Sequence, residues 1–197
     1  MTSDVAKPVR VFLVEDHPVM RLGLKMMLQE RGFDVCGEVA SAQELAGSLA
    51  GTEADVAIFD LSLNGETAFA LLAEVRATYP RLGMIVYSMH DTHLFVGNAL
   101  RIGVNAYVTK ADPVETLIDA IEAVQAGKQY LGPALTKTLE ERVSNQGGVG
   151  VALDELSERE LEVLTFLGQG FGRGEIAERL SLSARTIETF IDRLKSK

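Results

Sequence analysis

Val56-Ala57-Ile58-Phe59-Asp60-Leu61 is a short apolar run that ends in a single carboxylate. Branched and aromatic residues in a run of this length, bounded by polar residues, predict a strand buried on both faces. Such strands belong to parallel sheets with helices above and below. Asp60 falls where the strand should emerge, the end at which ligands and chemistry collect in open α/β sheets. A lone Asp after a strand is more often a turn residue or a helix cap. Its role therefore depends on what the rest of the chain delivers to the same end.

Outward from this run the pattern repeats. Val9 to Val14 reads as a first strand and ends in Glu15-Asp16, with His17-Pro18 opening a helix in which Met20, Leu24, Met27 and Leu28 fall at helical spacing. Met20, Met26 and Met27 read as core filler. Phe33 to Ala40 is a second strand, Gln43 to Ala50 a short helix, Asp55 to Phe59 the third strand and Ala68 to Thr78 a helix. Met84 to Tyr87 is a fourth strand ending in Ser88, and Thr92 to Ile102 a helix stopped by Gly103. Ala106 to Val108 is a fifth strand ending in Thr109-Lys110, and Asp112-Pro113-Val114-Glu115 has the chemistry of a helix start, with Asp112 as the cap. Residues 9–127 thus alternate strand and helix five times. They predict a doubly wound, five-stranded parallel α/β sheet with right-handed crossovers.

Residues 128–153 read as a linker, with a helix possible over Pro133 to Val143 and a flexible joint at Gln146-Gly147-Gly148-Val149-Gly150. A second, all-α unit follows at 154–197. Ser157-Glu158-Arg159-Glu160 is a capping box before Leu161, Leu164 and Leu167. Gly168 to Gly172 is a turn, Glu175 to Leu180 a short helix, and Ser183-Ala184-Arg185-Thr186 caps a third helix. Three short helices with tight turns fit a helix-turn-helix.

Composition narrows the function. With 47% hydrophobic and 24% charged residues the chain is an ordinary globular one, and no apolar run is long enough to span a membrane. The polar N-terminus lacks a signal peptide's apolar core and the one cysteine, Cys36, rules out an internal disulfide, so a cytoplasmic setting is expected. Cys36 lies in a predicted strand, where a small buried hydrophobe is the expected role. A net charge of −9 argues against non-specific attraction to nucleic acid but leaves room for a local basic patch.

The strand ends carry the chemistry. If the first and third strands are neighbours, Glu15, Asp16 and Asp60 bring three carboxylates together, and their mutual repulsion is relieved by a divalent cation. All-oxygen ligands favour Mg²⁺. A carboxylate can also act as nucleophile and form an aspartyl phosphate. Phosphoryl transfer needs positioning and charge neutralisation, which Lys110 and the Ser88 hydroxyl can help supply.

Glu15-Asp16, Asp60-Leu61-Ser62-Leu63, Ser88 after Tyr87, and Tyr107-Val108-Thr109-Lys110 resemble the motifs of a response-regulator receiver domain. Residues 154–197 resemble a LuxR-type helix-turn-helix through Leu156 to Leu164, Gly170, Glu175-Ile176-Ala177, Leu180, Ser183 and Thr186-Ile187. Together they resemble the NarL/FixJ family of two-component transcription regulators, which are not enzymes. The resemblance implies Asp60 as phosphoacceptor and Mg²⁺ held by Glu15, Asp16, Asp60 and the Ser62 carbonyl. It implies Lys110 as phosphoryl contact, and a switch in which Ser88 is drawn to the phosphate and the Tyr107 ring moves into the vacated space. The implied partners are a sensor histidine kinase, promoter DNA and a second copy of the chain on phosphorylation.

The sequence also departs from that pattern. Asn64 and Ala68 stand where the family has proline and glycine, so the loop after Asp60 is expected to differ in shape. Ala111 replaces a common cis proline. A non-proline cis bond costs about 3 kcal/mol, so a trans bond, or a cis bond enforced by the site, is expected. Gly174 and Glu188 stand where lysines are common, and Phe190 where histidine is. Residues 154–197 hold seven basic and nine acidic residues. Phosphate contacts then fall to Arg173, Arg185, Arg193, Lys195 and Lys197, with Thr186 beside them. The family continues into a fourth helix that this chain does not reach, so a shortened module is expected. Two other readings remain at this stage. One is a phosphorylation-switched protein–protein regulator. The other is a phosphohydrolase, which would place a second Asp where Ser62 stands.

Overall fold

The computed structural model describes residues 7–64, 66–137, 159, 162–163, 166, 171–180 and 182–196. The chain divides into two compact units, Met1–Leu139 and Glu140–Lys197. In the first unit β1 (Arg10–Val14), β2 (Asp34–Val39), β3 (Val56–Phe59), β6 (Gly83–Ser88), β7 (Ala106–Thr109) and β8 (Tyr130–Leu131) form one parallel sheet in the order β2-β1-β3-β6-β7-β8. The helices are α1 (Pro18–Glu30), α2 (Ala42–Leu49), α3 (Phe69–Thr78), α4 (His93–Ile102) and α5 (Glu115–Gln125). The predicted α/β doubly wound parallel sheet is observed, but with six strands instead of five. The extra one, β8, is only two residues long, too short to register as periodic in the sequence.

Every residue of β3, β6 and β7 is buried, as expected of central strands covered on both faces. One face packs Phe12, Val14, Ala57, Phe59, Met84 and Val86 against α2, α3 and α4. The other packs Leu13, Ile58 and Ile85 against Leu24 and Leu28 of α1 and Leu117 and Ile121 of α5. Gly37 lets β2 close on that core: a Cβ there would lie 2.4 Å from the Phe12 ring. Gly103, at φ 98°, ends α4 in the left-handed region as its position predicted.

Three local expectations are corrected, and the expected departure of the loop after Asp60 is seen. Met20 is 37% and Met26 62% exposed, because the stripe that α1 buries is Leu24–Leu28 and Met26 lies off it. Cys36 is only partly buried, on the outermost strand β2. The loop after Asp60 forms a small hairpin of β4 (Ser62–Leu63) and β5 (Glu66–Thr67), and Asn64 takes φ 53° between them. Asn tolerates that left-handed conformation better than most residues. Asp112 does not cap α5: the cap position is Val114, with no side-chain bond. There are no cis peptide bonds among the described residues, so the bond to Ala111 is trans.

In the second unit α6 (Arg173–Arg179) and α7 (Ala184–Ser196) bury Ile176, Ala177, Ile187 and Ile191 with Val163. Ser183 caps α7 as expected, its Oγ accepting from the Thr186 amide at 3.1 Å. Of the capping box at 157–160 only Arg159 is described, and the stripe of Leu161, Leu164 and Leu167, the glycine joint at 146–150 and the side chains of Lys195 and Lys197 lie outside the described residues. Of the helix expected over 133–143, residues 133–137 are helical and the rest lie outside them.

Candidate functional site

β1 and β3 are parallel neighbours in register, Val14 beside Phe59, and the Asp60 amide donates to the Val14 carbonyl at 2.8 Å. The residues that follow each strand therefore emerge side by side. Glu15 is 2% and Asp60 4% exposed. Glu15, Asp16, His17 and Asp60 each offer a ligand atom, and these atoms lie within 4.8 Å of one another. Acidic groups this close are held together only with compensation.

Lys110 supplies it. The β7 register brings its backbone beside Ser88, with the Lys110 amide donating to the Ser88 carbonyl at 2.8 Å. Its Nζ donates to Glu15 Oε2 at 2.8 Å and to Asp60 Oδ2 at 2.7 Å. Burial works to lower the lysine pKa, but the hydrogen bonds and charges of Asp60 and Glu15 outweigh it and the group titrates above the ordinary lysine range. The Tyr87 ring lies 6.0 Å from the same ammonium, and its phenol is raised by burial.

Asp16 is held differently. Its Oδ1 contacts His17 Nδ1 at 2.8 Å and its Oδ2 accepts from the Asn64 amide at 2.8 Å. The left-handed turn at Asn64 thus aims a backbone donor at the cluster. In the sequence His17 reads only as part of a helix start, and its place directly after two acids is the one signal available there for this site.

Ser62 donates its amide to Asp60 Oδ1 at 3.2 Å, and its hydroxyl contacts His90 Nε2 at 2.8 Å. The His90 amide donates to Ser88 Oγ at 3.2 Å, and the His90 ring stacks on Phe95 of α4 at 4.4 Å. The Tyr107 ring is fully buried, and its hydroxyl donates to the His90 carbonyl at 2.7 Å. Burial raises that phenol far above its ordinary value. His90 thus touches Ser62, Ser88, Tyr107 and Phe95, a role invisible in a sequence that places it two residues past a strand end.

The structure therefore brings Glu15, Asp16, Asp60 and Lys110 into one pocket, with Ser62, Ser88 and Tyr107 around it. An open, mainly apolar recess of about 500 Å³ adjoins it, lined by His17, Val19, Met20, Tyr87, Met89 and Lys110 among others. A larger hollow of about 810 Å³ lies at the opposite end of the sheet, around Arg76, Tyr79 and Gly83, away from this chemistry.

The second group of expected site residues is spread along α6 and α7. Arg185 and Arg193 are exposed on α7. Arg173 contacts Glu188 at 3.2 Å, so a guanidinium expected to meet phosphate is held by a carboxylate of the same module. Thr186 Oγ1 is taken up by Ser183 Oγ at 2.7 Å, within the helix cap. Phe190 packs partly buried against the core of the unit, which explains an aromatic ring at that position.

Residues 11–122 match the response regulator receiver domain, and residues 154–197 match the bacterial regulatory proteins of the luxR family. The oxygen regulatory protein NreC of Staphylococcus carnosus is 31% identical, over 91% of this chain and 86% of its own length. NreC of Staphylococcus aureus is 30% identical, over 96% and 90%. Among solved structures, RcsB of Salmonella enterica serovar Typhimurium bound to a promoter with the phosphomimetic BeF₃⁻ shares 26% identity and a TM-score of 0.66, covering 95% of this chain and 90% of that one. A two-component response regulator of the LuxR family from Aurantimonas sp. SI85-9A1 shares 31% identity and a TM-score of 0.65, covering 70% and 99%. No described helix is long and apolar enough to cross a membrane. The receiver match alone spans more than half of the chain, and with the match that follows it the chain belongs to the two-component response regulators of the NarL/FixJ type, transcription regulators rather than enzymes, that join a receiver to a LuxR-type helix-turn-helix.

Proposed function

We propose that Asp60 accepts a phosphoryl group from a cognate sensor histidine kinase and that this switches the output of the C-terminal module on promoter DNA. The observation that carries the reading is Lys110 Nζ bridging Asp60 Oδ2 and Glu15 Oε2 inside a buried pocket. An Asp60 carboxylate oxygen attacks phosphorus of the donor. The new O–P bond forms as the donor's N–P bond breaks, and the electron pair leaves with the donor imidazole. Lys110 then moves its hydrogen bonds to phosphoryl oxygens, and Ser88 Oγ–H donates to another.

The donor set fits a hard divalent cation: carboxylates of Glu15, Asp16 and Asp60 converge within 4.8 Å. Glu15, Asp16, Asp60 and the Ser62 carbonyl would hold Mg²⁺, whose charge neutralises the site as a phosphoryl group arrives. Ser88 and Tyr107 are read as the switch, and His90, bonded to both, as the joint between them and α4. Functional boundaries are taken at 1–127 for the receiver, 128–153 for a linker whose first residues return to the receiver sheet as β8, and 154–197 for the output module, in a cytoplasmic protein that dimerises on phosphorylation.

Arg185, Arg193 and Lys195, with Thr186, are the proposed DNA contacts of α7, together with Arg173 once freed from Glu188. The Arg173–Glu188 pair also supports a second reading, in which the module meets a protein instead of DNA. A small-molecule phosphodonor with Mg²⁺ tests the first step. Intact mass should rise by one phosphoryl group, and Asp60→Asn should abolish the gain. Duplex binding that weakens steeply with salt supports the DNA output, and its absence in the phosphorylated protein supports the second reading.

A further inference from the structure

We propose that Asp112 is a positioning residue that ties the phosphoryl-contacting turn to the chain leaving the receiver. The inference rests on Lys110 being the phosphoryl contact. Asp112 is 9% exposed. Its Oδ2 accepts from the Thr109 amide at 3.1 Å and from Thr109 Oγ1 at 2.7 Å, and its own amide donates to Thr109 Oγ1 at 3.2 Å. These bonds close a bracket around Lys110 and Ala111, the two residues that aim the ammonium at the site. The other oxygen, Oδ1, accepts from the Ala134 amide at 3.2 Å, at the start of helical residues 133–137.

One carboxylate is thus divided between two segments. Bonds from donors to an ionised carboxylate are about twice as strong as neutral ones, so neither segment shifts without pulling on the other. Gly132 makes the close approach possible, since a Cβ there would lie 2.6 Å from Asp112 Oδ2. The same stretch is also bonded to the switch strand. The Tyr130 amide donates to the Asn105 carbonyl at 3.0 Å and the Gly132 amide to the Tyr107 carbonyl at 2.9 Å. The exit from the receiver is therefore fastened to Tyr107 through the backbone and to the Lys110 turn through Asp112. Coupling of this kind is reciprocal: a phosphoryl group that draws on Lys110 is felt at Ala134, and loosening Ala134 weakens the hold on the phosphoryl group.

Amide hydrogen exchange on the full chain, with and without Mg²⁺ and beryllium trifluoride as the phosphoryl stand-in, tests this. In the wild type, exchange at Ala134 should change on addition of the stand-in together with exchange at Ser62. In Asp112→Ala the Ala134 change should be lost and the Ser62 change kept. Gly132→Ala, which displaces the carboxylate without removing it, should lose the same change and carries the test if Asp112→Ala does not fold. A basal loss of protection alone would mark a merely structural residue, so the readout is the induced change. The proposal is overturned if either variant keeps the wild-type response at Ala134, or if the wild type responds at Ser62 and not at Ala134. No response at any amide, Ser62 included, would instead overturn the phosphoryl-site reading and this inference with it.

Discussion

Replacing Lys110 with methionine tests whether the strand-end cluster is one electrostatic unit. The ammonium lies 2.8 Å from Glu15 Oε2 and 2.7 Å from Asp60 Oδ2, and the three side chains are 6%, 3% and 5% exposed. Methionine keeps most of the apolar stem and deletes the charge, leaving the buried Glu15 and Asp60 carboxylates without their counter-charge. At about 4 Å between charge centres and an effective dielectric of about 20, each attraction contributes about 4 kcal/mol before desolvation. Desolvation of the ammonium offsets much of that, and removing one partner from a buried pair costs about 3–5 kcal/mol net. Asp16, 16% exposed, opens the cluster to water and places the expectation at the lower end. About 3 kcal/mol corresponds to a fall of roughly 10 °C in melting temperature for a unit of this size. Thermal and urea unfolding in chelator should show that loss, and Mg²⁺ should recover more stability in Lys110→Met than in the wild type, because a cation relieves the same repulsion.

The pH dependence has a definite sign. The Lys110 pKa is lowered by burial and raised more strongly by Asp60 and Glu15, so it is raised on folding. Its contribution is complete below the ordinary lysine value of about 10.4 and is lost as pH climbs through the higher folded value. Wild type and Lys110→Met should therefore differ at neutral pH and converge in alkali. Equal stability at neutral pH in chelator, or an identical gain from Mg²⁺ in both, would refute the reasoning.

Three further outcomes are expected. Gly37→Ala drives a methyl to within 2.4 Å of the buried Phe12 ring and should cost about 1–3 kcal/mol in urea unfolding. Tyr107→Phe removes the 2.7 Å bond to the His90 carbonyl and should lower the urea midpoint by the equivalent of about 1 kcal/mol, with an unchanged denaturant slope. Glu188→Gln releases Arg173 from a 3.2 Å ion pair, and fluorescence anisotropy on duplex DNA should show tighter binding and a salt slope steeper by about 1; unchanged binding would count against Arg173 as a phosphate contact.

The residues that carry charge to the strand ends were readable because two local rules acted together. Val56 to Phe59 had to be a doubly buried strand, and a parallel sheet puts whatever follows such strands on one rim, so Glu15, Asp16, Asp60, Ser88 and Lys110 could be gathered without coordinates. What escaped was decided by choices between partners far apart in the chain. Asp112 had the neighbours of a helix cap, yet Thr109 and Ala134 offered its carboxylate better donors. His90 draws its four partners from the stretch after β3, from β6, from β7 and from α4, segments that only the fold brings together. Met26 was read as core filler from its residue type, yet it lies off the Leu24–Leu28 stripe that α1 buries, and β8, at two residues, has no period to detect.

The pairing of Tyr130–Leu131 along β7 has a practical consequence for anyone dissecting the protein. Strand β7 is buried throughout, and β8 is what covers its outer row of backbone groups. A fragment ended at Gly127, where the last receiver helix stops, would leave that row bare beside an apolar surface. Such a margin recruits strands from other molecules, and its self-association could be mistaken for activation. A fragment carried through residue 137 keeps the seam closed, so dimers measured on it would report on the signal rather than on the cut.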